Sequence, residues 1–165
     1  MADEALSIQI EPLRGLGGRM KRLSEATRQE TAVAIQQAAI IAEATARRGA
    51  PRDTGALARS ITSEVKGLSA RVFSTRDYAT YVELGRSPGA RMPPPAALEG
   101  WVRRHFGASP ERARGLAFVL ARAIARRGIP GRFFMRAAAR KVTEQMPNLL
   151  AQAAARVEKV WSAER

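Results

Sequence analysis

The chain has no cysteine and a single histidine among its 165 residues. The first absence excludes disulfides and thiolate metal sites, and it leaves the compartment unreadable from redox usage. The second leaves Ser–His nucleophilic catalysis only His105 to build on. That residue stands in Arg103-Arg104-His105-Phe106 at a predicted helix end, where a histidine commonly contacts terminal carbonyls. Carboxylates are scattered, none at metal-ligand spacing, and no glycine-rich phosphate loop followed by Lys and Ser/Thr is present. No apolar run approaches the ~20 residues that a membrane span needs. Asp3 and Glu4 stand where a secretory signal would carry basic residues, so none is expected. These absences together predict a non-enzyme without cofactor, metal or membrane partner.

What is present is positive charge, unevenly placed. Lys and Arg number 28 against 15 acidic residues, a formal net charge of +13. Residues 86–141 hold 13 of the basic residues against only Glu99 and Glu111, so this block carries +11 and the rest of the chain +2. Such a block reads either as solvated arginine on helix faces or as a surface for nucleic acid or an acidic partner. Aromatics, which nucleic-acid readers often add, make up only 5%. The contact candidates are Arg103, Arg104, Arg112, Arg114, Arg122, Arg126 and Arg127.

The length fits a single α+β domain over residues 1–165, with a flexible arm at 1–18, a helix-plus-hairpin core at 19–85, a basic proline loop and helical insert at 86–141, and a C-terminal helix at 133–162. In the arm, Ile8 and Ile10 alternate with polar residues over an extended 1–12, and Gly15, Gly17 and Gly18 form a joint. Residues 19–48, free of Pro and Gly, predict a long helix with Leu16, Met20, Leu23, Thr27, Ala34, Ala38, Ile41 and Thr45 on one stripe, stopped by Gly49 and Pro51. Asp53 is placed to cap a short helix at 54–60. Ile61, Ser63 and Val65 alternate with polar residues as a half-buried strand, Gly67-Leu68 turns, and 70–75 returns. A lone hairpin is marginal, so it must pack on helices or be completed by strands from neighbouring subunits.

Asp77 is expected to cap a short helix at 78–84, with a strand as the alternative, and Gly85 ends it. Four prolines make 86–95 a stiff extended loop. Helices follow at 96–105 and 110–127, the second with a buried stripe of Leu116, Leu120, Ala123 and Ile124. The last helix, 133–161, carries Met135, Ala138, Val142, Met146, Leu149, Ala153, Val157 and Val160 on one stripe, and Pro147 should kink or break it.

Asp53-Thr54-Gly55 looks like the aspartic-protease triplet, but it follows a long helix and precedes helix-like Ala56-Leu57-Ala58, so that reading fails on context. Taken instead with Pro51-Arg52 before it, with Tyr78-Ala79-Thr80-Tyr81-Val82-Glu83-Leu84-Gly85, and with Pro130-Gly131-Arg132-Phe133-Phe134-Met135-Arg136, it resembles a family of tailed-bacteriophage tail-completion and head-tail joining proteins, minor tail or neck components that are lambda Z-like. Departures are Gly85-Arg86 where the family commonly has Gly-Thr, Arg132-Phe133-Phe134 without the usual Pro, and the insert holding Trp101.

The resemblance implies a structural virion protein of the neck or tail, assembled in the host cytoplasm. It would act as a ring, with a hexamer expected, between connector or stopper and tail-tube or tail-terminator proteins, around a channel that passes DNA. A basic nucleic-acid-binding protein is the alternative. On the family reading Asp53, Thr54, Gly55, Tyr78, Tyr81, Glu83 and Gly85 are structural motif residues. The expected role of the two tyrosines is core packing. Glu83, if partly buried, needs a cation from Arg52, Arg59 or Arg86. Subunit or partner contacts fall to Arg86, Arg91, Met92, Arg132, Phe133 and Phe134, since Arg, Met and aromatics are enriched at interfaces.

Overall fold

The computed structural model describes residues 16–163. Its elements run α1 (Leu16–Gly49), α2 (Ala56–Ser60), β1 (Ile61–Lys66), β2 (Ser69–Ser74), α3 (Ala79–Leu84), β3 (Gly85–Arg86), α4 (Ala96–Phe106), α5 (Pro110–Arg127), β4 (Ile129–Pro130) and α6 (Phe134–Ser162). This is the α+β arrangement expected: a long N-terminal helix, an antiparallel hairpin and several C-terminal helices. Gly17 and Gly18, read as a joint, are helical and form the first turn of α1. The extended arm and Gly15 lie outside the described residues.

α1 and α6 form the dominant packed pair and run antiparallel. At one end Ala46, Ala50, Leu57, Ile61, Phe134 and Ala138 make a buried cluster. At the other, Ala34 and Ala38 meet Leu149 and Ala153, with Ile41, Val142 and Met146 packed around them. The helices therefore touch through alanine on the α1 side, and small side chains let backbones approach closely. Met20 (56% exposed) and Val160 (41%) fall off the buried stripe.

Helix α6, expected to kink or break at Pro147, is not broken there. The proline faces solvent, while Met146, Leu149 and Ala153 around it are held against α1. Packing on both sides of the missing N–H thus offsets a cost of ~3 kcal/mol for an interior proline.

The hairpin pairs Ile61 with Ser74 at its base and Lys66 with Ser69 at its tip. Only the base is buried: Ile61 is fully enclosed and Val65 is 40% exposed, so the expected inward alternation fails over the distal half. α4 and α5 form a second helical hairpin with its own small core of Val102, Ala113 and Ala117, flanked by Leu98, Trp101, Ala108 and Leu120. The buried stripe of α5 is Ala113, Ala117 and Ala121 rather than the one containing Leu116, which is 37% exposed. Its start has Pro110 in the first turn, as expected, and Ser109, which was not singled out, caps it with Oγ accepting from Arg112 N–H. The two-residue bridge between β3 and β4 is the base on which this helical hairpin stands.

Phe134 is the largest fully buried side chain among the described residues, and it closes the cluster between α1, α2, β1 and α6. Truncating it by Phe134→Ala is expected to lower unfolding free energy by about 3–5 kcal/mol, as measured by urea denaturation followed by far-UV circular dichroism.

Candidate functional site

Two phrases far apart in sequence meet at the start of α6. Glu83, in the last turn of α3, is half-buried. Its Oε2 accepts from Met135 N–H at 2.8 Å and its Oε1 from Arg136 N–H at 3.0 Å. The backbone repeats the link: Arg132 N–H donates to Val82 O at 2.9 Å and Phe133 N–H to Glu83 O at 3.1 Å. Glu83 therefore caps α6, supplying a carboxylate to unpaired N–H groups at the positive end of the helix dipole. The expected ion pair with an arginine is not formed. Arg59 donates instead to Thr54 O and Arg86 to Arg91 O.

Gly85 follows at φ 78°, and a Cβ there would lie 2.3 Å from Ile129 O, so only glycine lets β3 reach β4. Phe133 takes φ 51°, the one non-glycine residue with positive φ among those described, and Arg136 covers its ring at 4.5 Å. Of the three anchor candidates here, Arg132 and Phe133 are exposed, whereas Phe134 is core and leaves the interface set.

Asp53 does not cap α2. The residue before α2 is Gly55 in the left-handed region, and no side chain caps the helix there; Ala56 N–H donates to Thr54 Oγ1 at a long 3.4 Å. Asp53 instead receives two bonds from the Arg104 guanidinium, Nε to Oδ1 at 3.0 Å and Nη2 to Oδ2 at 2.5 Å. The hydrogen bond from Arg104 holds the Asp53 carboxyl below its ordinary value of 3.8, against the opposing effect of desolvation. Asp77 likewise caps nothing: α3 begins after Tyr78 without a side-chain cap. His105 meets the expectation for a helix end, with Nδ1 3.1 Å from Trp101 O and its ring stacked on the indole.

The tyrosines are not core. Tyr78 is 44% exposed, Tyr81 70% and Leu84 59%, and the i, i+3, i+6 spacing sets them along one side of α3. Arg91 and Met92 are exposed in the proline loop, which Gly89 N–H ties to Ala125 O at 2.8 Å. Arg103, Arg112, Arg114, Arg122, Arg126 and Arg127 are all exposed. Along α5, Arg112, Leu116, Val119, Arg122 and Arg126 follow at helical spacing, with Phe118 (49% exposed) beside them. Arg47 and Arg48, for which the sequence suggests no role, and Arg52 and Arg59, expected as partners of Glu83, line a single cleft. Their spacing across a helix end, a loop and a short helix hides that convergence. No group of His, Asp and Glu that could hold a metal occurs among the described residues.

Replacing Glu83 by Ala removes two charge-assisted bonds and exposes orphan donors, and a loss of about 1.5–3 kcal/mol in unfolding free energy is expected; Glu83→Gln, which keeps one acceptor oxygen, should lose less. The Asp53–Arg104 pair has the opposite visibility. Its carboxyl is depressed on folding, so its contribution is fully present above about pH 4 and disappears as pH falls through the lowered value. The stability difference between wild type and Asp53→Asn should therefore shrink steadily below pH ~4, read by denaturant titrations across that range.

Residues 14–85 match the family model described as "Bacteriophage HK97-gp10, putative tail-component". The matched stretch is less than half of the chain, and it ends at Gly85, the last residue of the Tyr-Val-Glu-x-Gly phrase. No match to a curated protein or to a solved structure was found. No helix among the described residues is long and apolar enough to cross a membrane. Over that stretch the chain is similar to a putative tail component of a bacteriophage.

Proposed function

We propose that the chain is a lambda Z-like neck or tail-completion protein that works as a homo-oligomeric ring, a hexamer matched to a tail tube, and joins the tail to the head connector. The observation that carries this reading is the exposed apolar side of α3. Tyr78, Tyr81 and Leu84 stand in solvent on a helix whose other side is fixed to α6 by Glu83. A surface of exposed large apolar groups on a rigid support marks an interaction site rather than a mobile loop. Arg91 and Met92 lie in the stiff loop and Arg132 and Phe133 beside the Glu83 cap, and they extend the contact set for subunits.

The outer side of α5 supplies a second contact of a different kind. Leu116, Phe118 and Val119 are interspersed with Arg112, Arg122 and Arg126, a pattern suited to an acidic protein partner such as a connector or tube subunit. The ring surrounds the channel, assembles in the host cytoplasm and remains in the virion.

Mass photometry and sedimentation across a concentration series should show the purified protein self-associating, more strongly in the presence of its connector or tube protein. Tyr81→Asp combined with Leu84→Asp should weaken association at least tenfold while leaving thermal unfolding within a few degrees. A wild-type protein that stays monomeric at every concentration and captures neither neighbour would defeat the reading.

A further inference from the structure

The arginines of this protein divide into two surfaces of different chemistry. One is the outer side of α5, where they alternate with large apolar groups. The other combines four arginines from outside the 86–141 block with two from within it. Arg47, Arg48, Arg52 and Arg59 line an open cleft of about 570 Å³ whose remaining lining is only Gly55 and Ala58. Arg103 and Arg104 line a neighbouring cleft with Gly100 and Ala108. The Asp53–Arg104 pair joins the two, because Asp53 directly follows Arg52.

Counter-charge here is sparse. Glu43 pairs with Arg47 at 2.8 Å and Asp53 with Arg104. Arg48, Arg52 and Arg103 have no side-chain hydrogen bond or ion pair among the described residues. Arg59 is held by donation to Thr54 O, lying over Gly55, where a Cβ would stand 2.8 Å from its Nη1. Asp53-Thr54-Gly55 thus orients one arginine from each side: the carboxylate holds Arg104 and the Thr54 carbonyl holds Arg59.

We propose that this surface binds the phosphate backbone of duplex nucleic acid. Six arginines with two counter-ions repel one another unless an anion lies across them. The floor between them is glycine and alanine, so a backbone can approach closely, while no aromatic or large aliphatic group offers a protein side chain anything to bury. Phosphate contacts need charge and donors and no apolar anchor. The planar guanidinium presents paired donors to phosphate oxygens. Binding is sequence-independent and does not require a ring, so it stands or falls apart from the oligomeric assembly.

The test uses the full chain and a fluorescent duplex of ~30 bp, with anisotropy titrations from about 50 to 200 mM salt, where each phosphate contact contributes about 0.9 to the logarithmic salt slope. Arg48→Gln, Arg52→Gln and Arg103→Gln combined should lower the slope by about 2–3 and weaken binding at least tenfold. These side chains have no side-chain partner among the described residues, so the melting temperature should not move. Arg112→Gln, Arg122→Gln and Arg126→Gln combined should change the slope by less than about 1. Absence of salt-dependent binding by the wild type, or loss of slope only in the α5 variant, would overturn the assignment. So would poly-glutamate displacing the duplex as well as unlabelled duplex does at equal charge, since that result assigns the surface to an acidic protein.

Discussion

The carboxylate of Glu83 decides where α6 begins. Two backbone N–H groups that a helix start leaves without partners are satisfied by one side chain arriving from a short helix about fifty residues earlier. With the start of α6 fixed, Phe134 falls into the cluster around Leu57 and Ile61, and every later turn is committed in register. Ala138, Leu149 and Ala153 then face α1 because their spacing is counted from that origin. A slip of one residue would rotate the stripe by roughly 100° and take Phe134 and Leu149 out of their clusters. The antiparallel helix pair therefore depends on a polar contact at one end as much as on apolar contact along its length.

Elements announced by local chemistry were legible in the chain. The Ala-rich stretch without Pro or Gly, the turn at Gly67-Leu68, and Pro110 in the first turn of α5 each carry their own cause, and the boundaries fall within a few residues of expectation. What was hidden depends on partners distant in sequence. Glu83 reads as a group in need of a cation and Asp53 as a helix cap, but their partners, the N–H groups of Met135 and Arg136 and the guanidinium of Arg104, are about fifty residues away. The tyrosines were hidden for another reason: an i, i+3 aromatic pair on a six-residue helix has the same pattern whether it faces in or out. On α5 the larger leucine was favoured for the core, whereas close approach to α4 selected alanine.

The phrase Asp53-Thr54-Gly55 ends with a role that neither a cap nor a catalytic triplet describes. It is a small scaffold for guanidinium groups, and it ties the α4–α5 hairpin to the end of α1 through an exposed ion pair. Its neighbour in the resemblance, Tyr-Val-Glu-x-Gly, ties α3 to α6. The two phrases thus make the joints of the molecule, and the surfaces proposed for contact are mounted on those joints. The residues of the resemblance and those of the proposed contacts are adjacent but different: hydrogen-bonded groups set the frame, and tyrosine, leucine and arginine are exposed at its outer side.

The 34 residues of α1 have a further consequence in plain length. At 1.5 Å per residue the helix is about 50 Å long, a distance comparable with the diameter of a small domain and a half. The arginine cleft gathers at its C-terminal end, while Leu23 and Thr27 near the other end border a groove with Leu150, Val157 and Trp161. A strut of this reach holds the two surfaces at a fixed separation, so that a force applied at one passes to the other along a helix rather than through a chain of loops.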